Sequence, residues 1–425
     1  MLSSMPGPHI GDGEPPPQDS RTFNRRLTLA SYTLLLAVFI GISYSFGVSF
    51  ASLEEEFAWS RTTTSSIFSL YLILVSVFAI LSGWIFKKCG IKLAIAAMGV
   101  LGGGSLLLTS HAHSAWQFLL AYSVLLALGT GAICRAAVSA IARYPAKQRQ
   151  AVMGAIGIGA GAGILIIAPL LSKMISLDDW RDAYTILGIA AWVLTIAAAL
   201  LIPKEPSIIL TPDECNSGTN PVTLPPGQSA PERTLPDFTG TRNRSLLFLA
   251  CLAYAFSMHI VMGHMVIRAE DLGMTSLKAA GLLTAMAASA IVGRFMAGWV
   301  ADTLGKGTAG ISFVLIQTAM VFWFVDPDGT RSYYFFAIVF GLAGGGMTGL
   351  VTDFLGNIMD RRSASSTIRF LAILWGVGAA AGLYVGGLVF DRTDGYEFAF
   401  FCAGVTAMLA TIGIWGMERK PAKST

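Results

Sequence analysis

Apolar runs of about 20 residues recur along almost the whole chain, and no other feature narrows its fold so far. A run of that length makes a helix roughly 30 Å long, the thickness of a bilayer's hydrocarbon core. Inside hydrocarbon a backbone has to satisfy its own hydrogen bonds, so such runs read as membrane-crossing helices. Composition agrees, because 54% of the 425 residues are hydrophobic and only 13% are charged, against about a quarter charged in soluble domains. The expected fold is an all-α membrane protein whose first partner is the lipid bilayer. Twelve spans are expected: roughly 27–52, 62–86, 91–111, 115–142, 150–174, 181–203, then 244–267, 276–303, 308–325, 333–356, 364–390 and 396–417.

These runs divide the chain. Residues 1–26 are polar and rich in Pro and Gly, and read as a disordered cytoplasmic N-terminus without the pattern of a cleaved signal peptide. Two six-helix bundles follow, 27–203 and 244–417, joined by a Pro-rich cytoplasmic linker at 204–243 and closed by a short tail at 418–425. Short-loop lysines and arginines (Lys87, Lys88, Lys92, Arg143, Lys147, Arg149, Arg361, Arg362) set the orientation. The acidic "LEEEF" after the first span and "DPDG" after the ninth fall on the other side. Both termini are then cytoplasmic, in a multi-pass protein of the inner or plasma membrane. A net charge of +4, spread over loops, gives nucleic-acid binding no support. The five cysteines have neither metal-ligand nor redox spacing, so no disulfide framework, metal or cofactor is expected.

The two halves repeat one another. "GWIFKKCG" (83–90) ends the second span and "GWVADTLG" (298–305) ends the eighth, 215 residues on (298 − 83). "GTG" at 129–131 and "GGG" at 344–346 share that offset (344 − 129). "DDWRDAY" and "TDGYEFAF" precede the sixth and twelfth spans at nearly the same spacing. Parallel six-helix repeats put a substrate site between the halves near the midplane.

The repeat, the twelve spans and G-x-x-x-D-x-x-G-K at Gly298, Asp302, Gly305 and Lys306 together resemble the major facilitator superfamily. In the first-half copy, Gly83 is kept but Lys87 stands where the family usually has an aspartate. The resemblance assigns Gly83, Gly298, Asp302 and Lys306 to gating of the cytoplasmic side. "GISYSFGVSF", "YPAKQRQAVMGAIGIGAGAG", "RAEDLGM", "VTDFLG" and "GGLVFDRTDGYEFAF" narrow the likeness to the monocarboxylate transporter and oxalate–formate antiporter group. That likeness implies proton-coupled transport of a small organic anion by alternating access. The Gly-Pro signature of multidrug antiporters is absent from the fifth span, where the only proline is Pro169.

Two arginines carry the chemistry. Arg135, in "GTGAICRAAVSA", lies eight residues before Arg143, and Arg294 lies eight before Asp302, each about 12 Å from its basic or acidic loop. An arginine at a helix centre costs at least about 2.5 kcal/mol on insertion scales. No acidic residue lies near the middle of any span to offset it. An incoming carboxylate supplies the missing charge, gripped through both oxygens by the planar guanidinium. The competing reading is a structural arginine that snorkels or bonds helix carbonyls. The resemblance implies a substrate-binding arginine at Arg294, with the usual acid one turn earlier replaced by Ala290 and the usual lysines of the first and eleventh spans missing. Arg135 then stands in for the missing second cation.

The resemblance implies that Tyr44 faces the cavity, and Tyr122 and Trp375 are candidate wall residues, each of the three with plain packing as its alternative. His264, and less so His259, and Asp353 are candidates for the coupled proton, with an interface hydrogen bond or ion pair as the alternative. The glycines of "GIGAGAG" (157–163) read as a close, sliding helix contact, since no strand precedes them and no Lys-Ser/Thr follows. No nucleophile–base set is visible, so no enzyme is expected. A monomeric proton-coupled carrier of a lactate- or pyruvate-like acid is the leading reading. A carboxylate exchanger, an exporter of hydrophobic or drug-like compounds and a non-transporting membrane sensor stand behind it.

Overall fold

A computed structural model describes residues 18–141, 144, 146–177, 179–202, 241–325, 329–358 and 364–418. The N-terminal stretch to residue 17, most of the 204–243 linker, Arg143, Arg361, Arg362 and the tail beyond 418 lie outside them. Helices account for nearly all of the described residues. The first set is α1 (Gln18–Tyr44, continued through Ser45–Ser49 and Phe50–Phe57), α2 (Arg61–Cys89), α3 (Ile91–Ser110), α4 (Ala115–Ile141), α5 (Ala146–Leu177) and α6 (Trp180–Leu201). The second is α7 (Thr241–Asp271), α8 (Ser276–Leu304), α9 (Lys306–Trp323), α10 (Gly329–Ile358), α11 (Ala364–Thr393) and α12 (Glu397–Glu418).

Eleven of these are long and apolar enough to cross a membrane. The exception is α9, an 18-residue helix that begins on Lys306 and carries Gln317 mid-length. Gln317 is buried, and its amide oxygen accepts from the Tyr254 hydroxyl of α7 at 2.7 Å. That polarity is spent inside the protein. Outward-facing Trp84, Trp116, Phe295 and Trp299 are more than 60% exposed, an apolar surface of the kind lipid covers.

Sequence edges and helix edges differ most at α1. "LEEEF" is its last turn, not a loop. Within α1 the helix tightens to a 3₁₀ turn over Ser45–Ser49, and within α4 it widens to a π turn over Leu119–Leu126. Both are departures that often mark functional helices. Helix α2 starts from Ser60, whose hydroxyl accepts from Thr63 N. Gly90 and Gly305, last residues of the repeated "GW" motifs and 215 apart (305 − 90), take nearly the same backbone, φ 77° and ψ 154° against φ 83° and ψ 148°. A side chain is strained there, so glycine is the residue for both turns.

Packing pairs α1 with α5, α2 with α4 and α3 with α4 and α6. In the second set α7 pairs with α11 and α12, α8 with α10, and α9 with α10 and α12. The two sets meet where α2 lies on α11 and α5 on α8.

Candidate functional site

Arg135 of α4 lies along α2. A Cβ built on Gly83 would sit 3.2 Å from its Nε, so the first glycine of the "GWIFKKCG" motif makes the niche that holds this guanidinium. Its Nε is buried without a hydrogen-bond partner, and among the described residues no carboxylate pairs with it.

Arg294 of α8 reaches across to the first set. Its Nη1 donates to the Gly157 carbonyl of α5, and its Nε donates to Thr348 Oγ1 of α10 at 3.2 Å. Gly157 is the niche here, since a Cβ on it would lie 3.1 Å from Nη1. No acid among the described residues neutralises Arg294 either. Both arginines are partly buried.

The glycine run of α5 serves two neighbours by alternation. Gly159 and Gly163 lie on α1, where a Cβ would strike the backbone of Thr33 and Ala37. Gly157 and Gly161 face α8, at Arg294 and Ile291. Residues four apart share a helix face, and residues two apart lie on nearly opposite ones.

Tyr44 ends the regular part of α1, just before the 3₁₀ turn, and is half-buried. Its hydroxyl lies 3.2 Å from His259 Nε2 of α7, tying the two sets together near the middle of both helices. Trp375 of α11 sets its ring edge-on to His259, centroids 5.8 Å apart. Tyr122 is fully buried, its ring 4.9 Å from that of Phe46 and its hydroxyl donating to the Ser43 carbonyl at 3.4 Å. His264 is also fully buried. Its Nε2 donates to the Leu383 carbonyl at 2.9 Å, and the Tyr396 hydroxyl is 3.2 Å from Nδ1. The five-residue separation turns the two histidines to different neighbours. Gly298 and Asp302 lie in the last turns of α8 and Lys306 begins α9, with Asp302 and Lys306 exposed and open space over Gly298. Asp353 belongs to α10, but its side chain lies outside the described residues.

The sequence reading passed over a cluster at the opposite end. Arg61, first residue of α2, pairs with Glu54 of α1 at 3.1 Å and Asp271 of α7 at 2.7 Å, and its guanidinium lies 4.6 Å from the Phe390 ring of α11. Asp391 of α11 accepts from the backbone N–H groups of Arg61 at 3.0 Å and Thr62 at 2.9 Å. A helix start offers unpaired N–H groups and partial positive charge, so a carboxylate from the other set caps it well. Asp271 and Asp391 sit in "RAEDLGM" and "GGLVFDRTDG", whose acids at span ends were the available signal. We expect Asp391→Ala to cost about 0.5–2 kcal/mol, as for other lost caps, and Asp391→Asn to cost less by keeping one acceptor. Thermal melting of the detergent-solubilised variants checks this, and an unchanged Asp391→Ala midpoint would deny the cap any weight.

Comparison with known proteins fits this geometry. The family model described as Major Facilitator Superfamily matches residues 32–382. The chain is similar to "Monocarboxylate transporter 4" of Mus musculus, 26% identical over 395 residues that cover 90% of this chain and 82% of that protein. "Monocarboxylate transporter 12-B" of Danio rerio is 24% identical over 399 residues, covering 86% and 81%. "Uncharacterized MFS-type transporter YcxA" of Bacillus subtilis is 22% identical over 401 residues, covering 90% and 92%.

Proposed function

The chain belongs to the Major Facilitator Superfamily, a multi-pass membrane transporter and not an enzyme, and from that premise we propose that it carries small monocarboxylates together with protons by alternating access. The observation that carries this reading is the pair of guanidinium groups, Arg135 and Arg294, held in glycine niches without a carboxylate partner among the described residues. An arginine kept at membrane depth asks for an anion or a wet cavity. The curated relatives named as monocarboxylate transporters support a carboxylate as that anion.

The reading includes twelve spans in two six-helix bundles, 27–203 and 244–417, with both termini and the linker cytoplasmic in the plasma or inner membrane. Recurrence of the pairings supports it: α1 on α5 and α7 on α11, α2 on α4 and α8 on α10, α3 on α6 and α9 on α12. Substrate contact falls to Arg294, Arg135, Tyr44 and Trp375, while Tyr122, fully buried, is a packing residue. Gly83, Gly298, Asp302 and Lys306 serve the cytoplasmic gate. The Arg61–Asp271–Asp391 cluster is the closed extracellular gate.

Proteoliposomes containing the full chain test the function. Labelled lactate or pyruvate is expected to enter faster when the interior is alkaline, and a protonophore is expected to abolish that acceleration. Other short monocarboxylates are expected to compete, and lipophilic cations are not. Export of lipophilic cations without carboxylate movement would overturn the reading in favour of a drug exporter.

A further inference from the structure

His259 is 1% exposed, and its hydrogen bonds determine where its proton sits. Nδ1 lies 2.9 Å from the Ala255 carbonyl, which can only accept, so Nδ1 carries the hydrogen. In the neutral ring Nε2 is then bare, and the Tyr44 hydroxyl 3.2 Å away is the donor. Tyr44 thereby turns its oxygen lone pairs, not its proton, to anything else that approaches. A carboxylate gains nothing from such a face.

Adding a proton to Nε2 reverses the bond. The imidazolium donates to the Tyr44 oxygen, and the tyrosine's own hydrogen is released to point elsewhere. We propose that His259 and Tyr44 form a proton-operated hydrogen-bond relay, in which a proton taken from water by His259 Nε2 turns Tyr44 into a donor toward the bound monocarboxylate, so that one proton travels with each anion. The relay rests on the monocarboxylate reading above.

Burial supplies the coupling. A lone imidazolium in so dry a place is unfavourable, and so is a lone carboxylate, but each offsets the other's charge. The surroundings leave that role open. Trp375 of α11 meets the imidazole with a ring edge and Phe68 of α2 meets the Tyr44 ring edge-on, while Cys134 of α4 and Tyr71 of α2 are near enough to interact with Tyr44 electrostatically. Among the described residues no carboxylate or cation bonds either member of the pair, and none from α8 or α12 bonds the imidazole. The other helix α7 histidine, His264, has all its bonds within the second set. Of these two histidines it is His259 that bonds across from one set to the other, so its protonation changes a contact that alternating access has to make and break.

The test uses the full chain in lipid nanodiscs, with labelled lactate and pyruvate as probes, between about pH 5.5 and 8, where these acids stay ionised. Wild-type affinity is expected to rise by up to about tenfold per unit of falling pH. His259→Gln, which can still bond Tyr44, is expected to bind with affinity that varies less than about twofold over the whole range, where a tenfold change is about 1.4 kcal/mol. In proteoliposomes the same variant is expected to keep lactate counterflow and lose proton-driven net uptake. Tyr44→Phe is expected to weaken binding far more at acid pH than at alkaline pH, whereas a merely structural tyrosine would lower affinity equally at both. Nitrogen NMR of labelled histidine, with His259→Gln providing the assignment, is expected to show Nε2 protonating when lactate is added. A pH slope that survives in His259→Gln, or a ring that stays neutral with lactate bound, overturns the relay alone. Wild-type protein that binds neither acid at any pH overturns the monocarboxylate reading, and the relay with it.

Discussion

Arg294→Ala is expected to lower lactate or pyruvate uptake by about 10- to 100-fold, the weight of one or two charge-assisted hydrogen bonds of about 1.5–3 kcal/mol. Most of the loss should appear as a raised KM, because the guanidinium is assigned to hold the anion. The same side chain also bridges α8 to the Gly157 carbonyl of α5 and to Thr348 of α10, so a strut alone has to be told apart. A strut would lower the melting temperature of the variant and leave KM at the wild-type value. Arg294→Lys separates the two further, because the ammonium keeps the charge and loses the two-pronged grip. It is expected to recover part of the affinity. If Arg294→Ala protein folds normally and transports with unchanged KM, the anion-clamp mechanism is wrong.

Gly163→Leu is expected to cost more than about 3 kcal/mol, beyond the usual range for an overpacked core, because backbone and not a side chain stands in the way. A Cβ there would lie 2.6 Å from the Ala37 carbonyl carbon and closer still to its oxygen, so α1 and α5 would have to part. Gly161, two residues away, is a sharp contrast. Its Cβ would meet Ile291 Cγ1 of α8 at 3.2 Å, a side chain and not backbone, which has to give by only a few tenths of an ångström. Gly161→Ala is therefore expected to fold as well as wild type, helped by alanine's helix propensity, and to slow exchange between the two sets. Melting temperature and monodispersity in detergent read the first effect, and counterflow rate the second. Equal melting temperatures for Gly163→Leu and wild type would mean that the α1–α5 approach is not as close as it stands here.

Much of the fold is legible in the sequence because a bilayer imposes one length on every crossing element. Each apolar run of about 20 residues has a helix over it, and the edges moved only where local chemistry intervened. "LEEEF" continues α1 because Glu54 and Glu56 have partners, Glu54 with Arg61 and Glu56 with Trp180 and Arg181. Helix α9 falls outside the eleven because its 18 residues begin on Lys306 and include Gln317, whose partner Tyr254 belongs to another helix. No local pattern shows that bond.

The candidate site was legible in part. That Arg135 and Arg294 are out of place in lipid follows from composition alone. What they lean on does not: Gly83, Gly157 and Thr348 are 52, 137 and 54 residues away (135 − 83, 294 − 157, 348 − 294). His259 and His264 looked alike as sequence, each a histidine in an apolar helix. Their difference comes from the neighbours that a five-residue rotation selects, Tyr44 for one and Tyr396 for the other.

By itself the sequence determined the all-helical membrane class, the length and order of the helices and the presence of two costly cations, since each is a property of local hydrophobicity set against a slab of known thickness. Tertiary structure alone decided which glycines of the α5 run touch α1 and which touch α8, that Asp391 caps a helix 330 residues away in sequence, and that one histidine bonds across from one helix set to the other. Those outcomes depend on how helices rotate and cross when they pack, and close packing joins residues that no spacing along the chain connects.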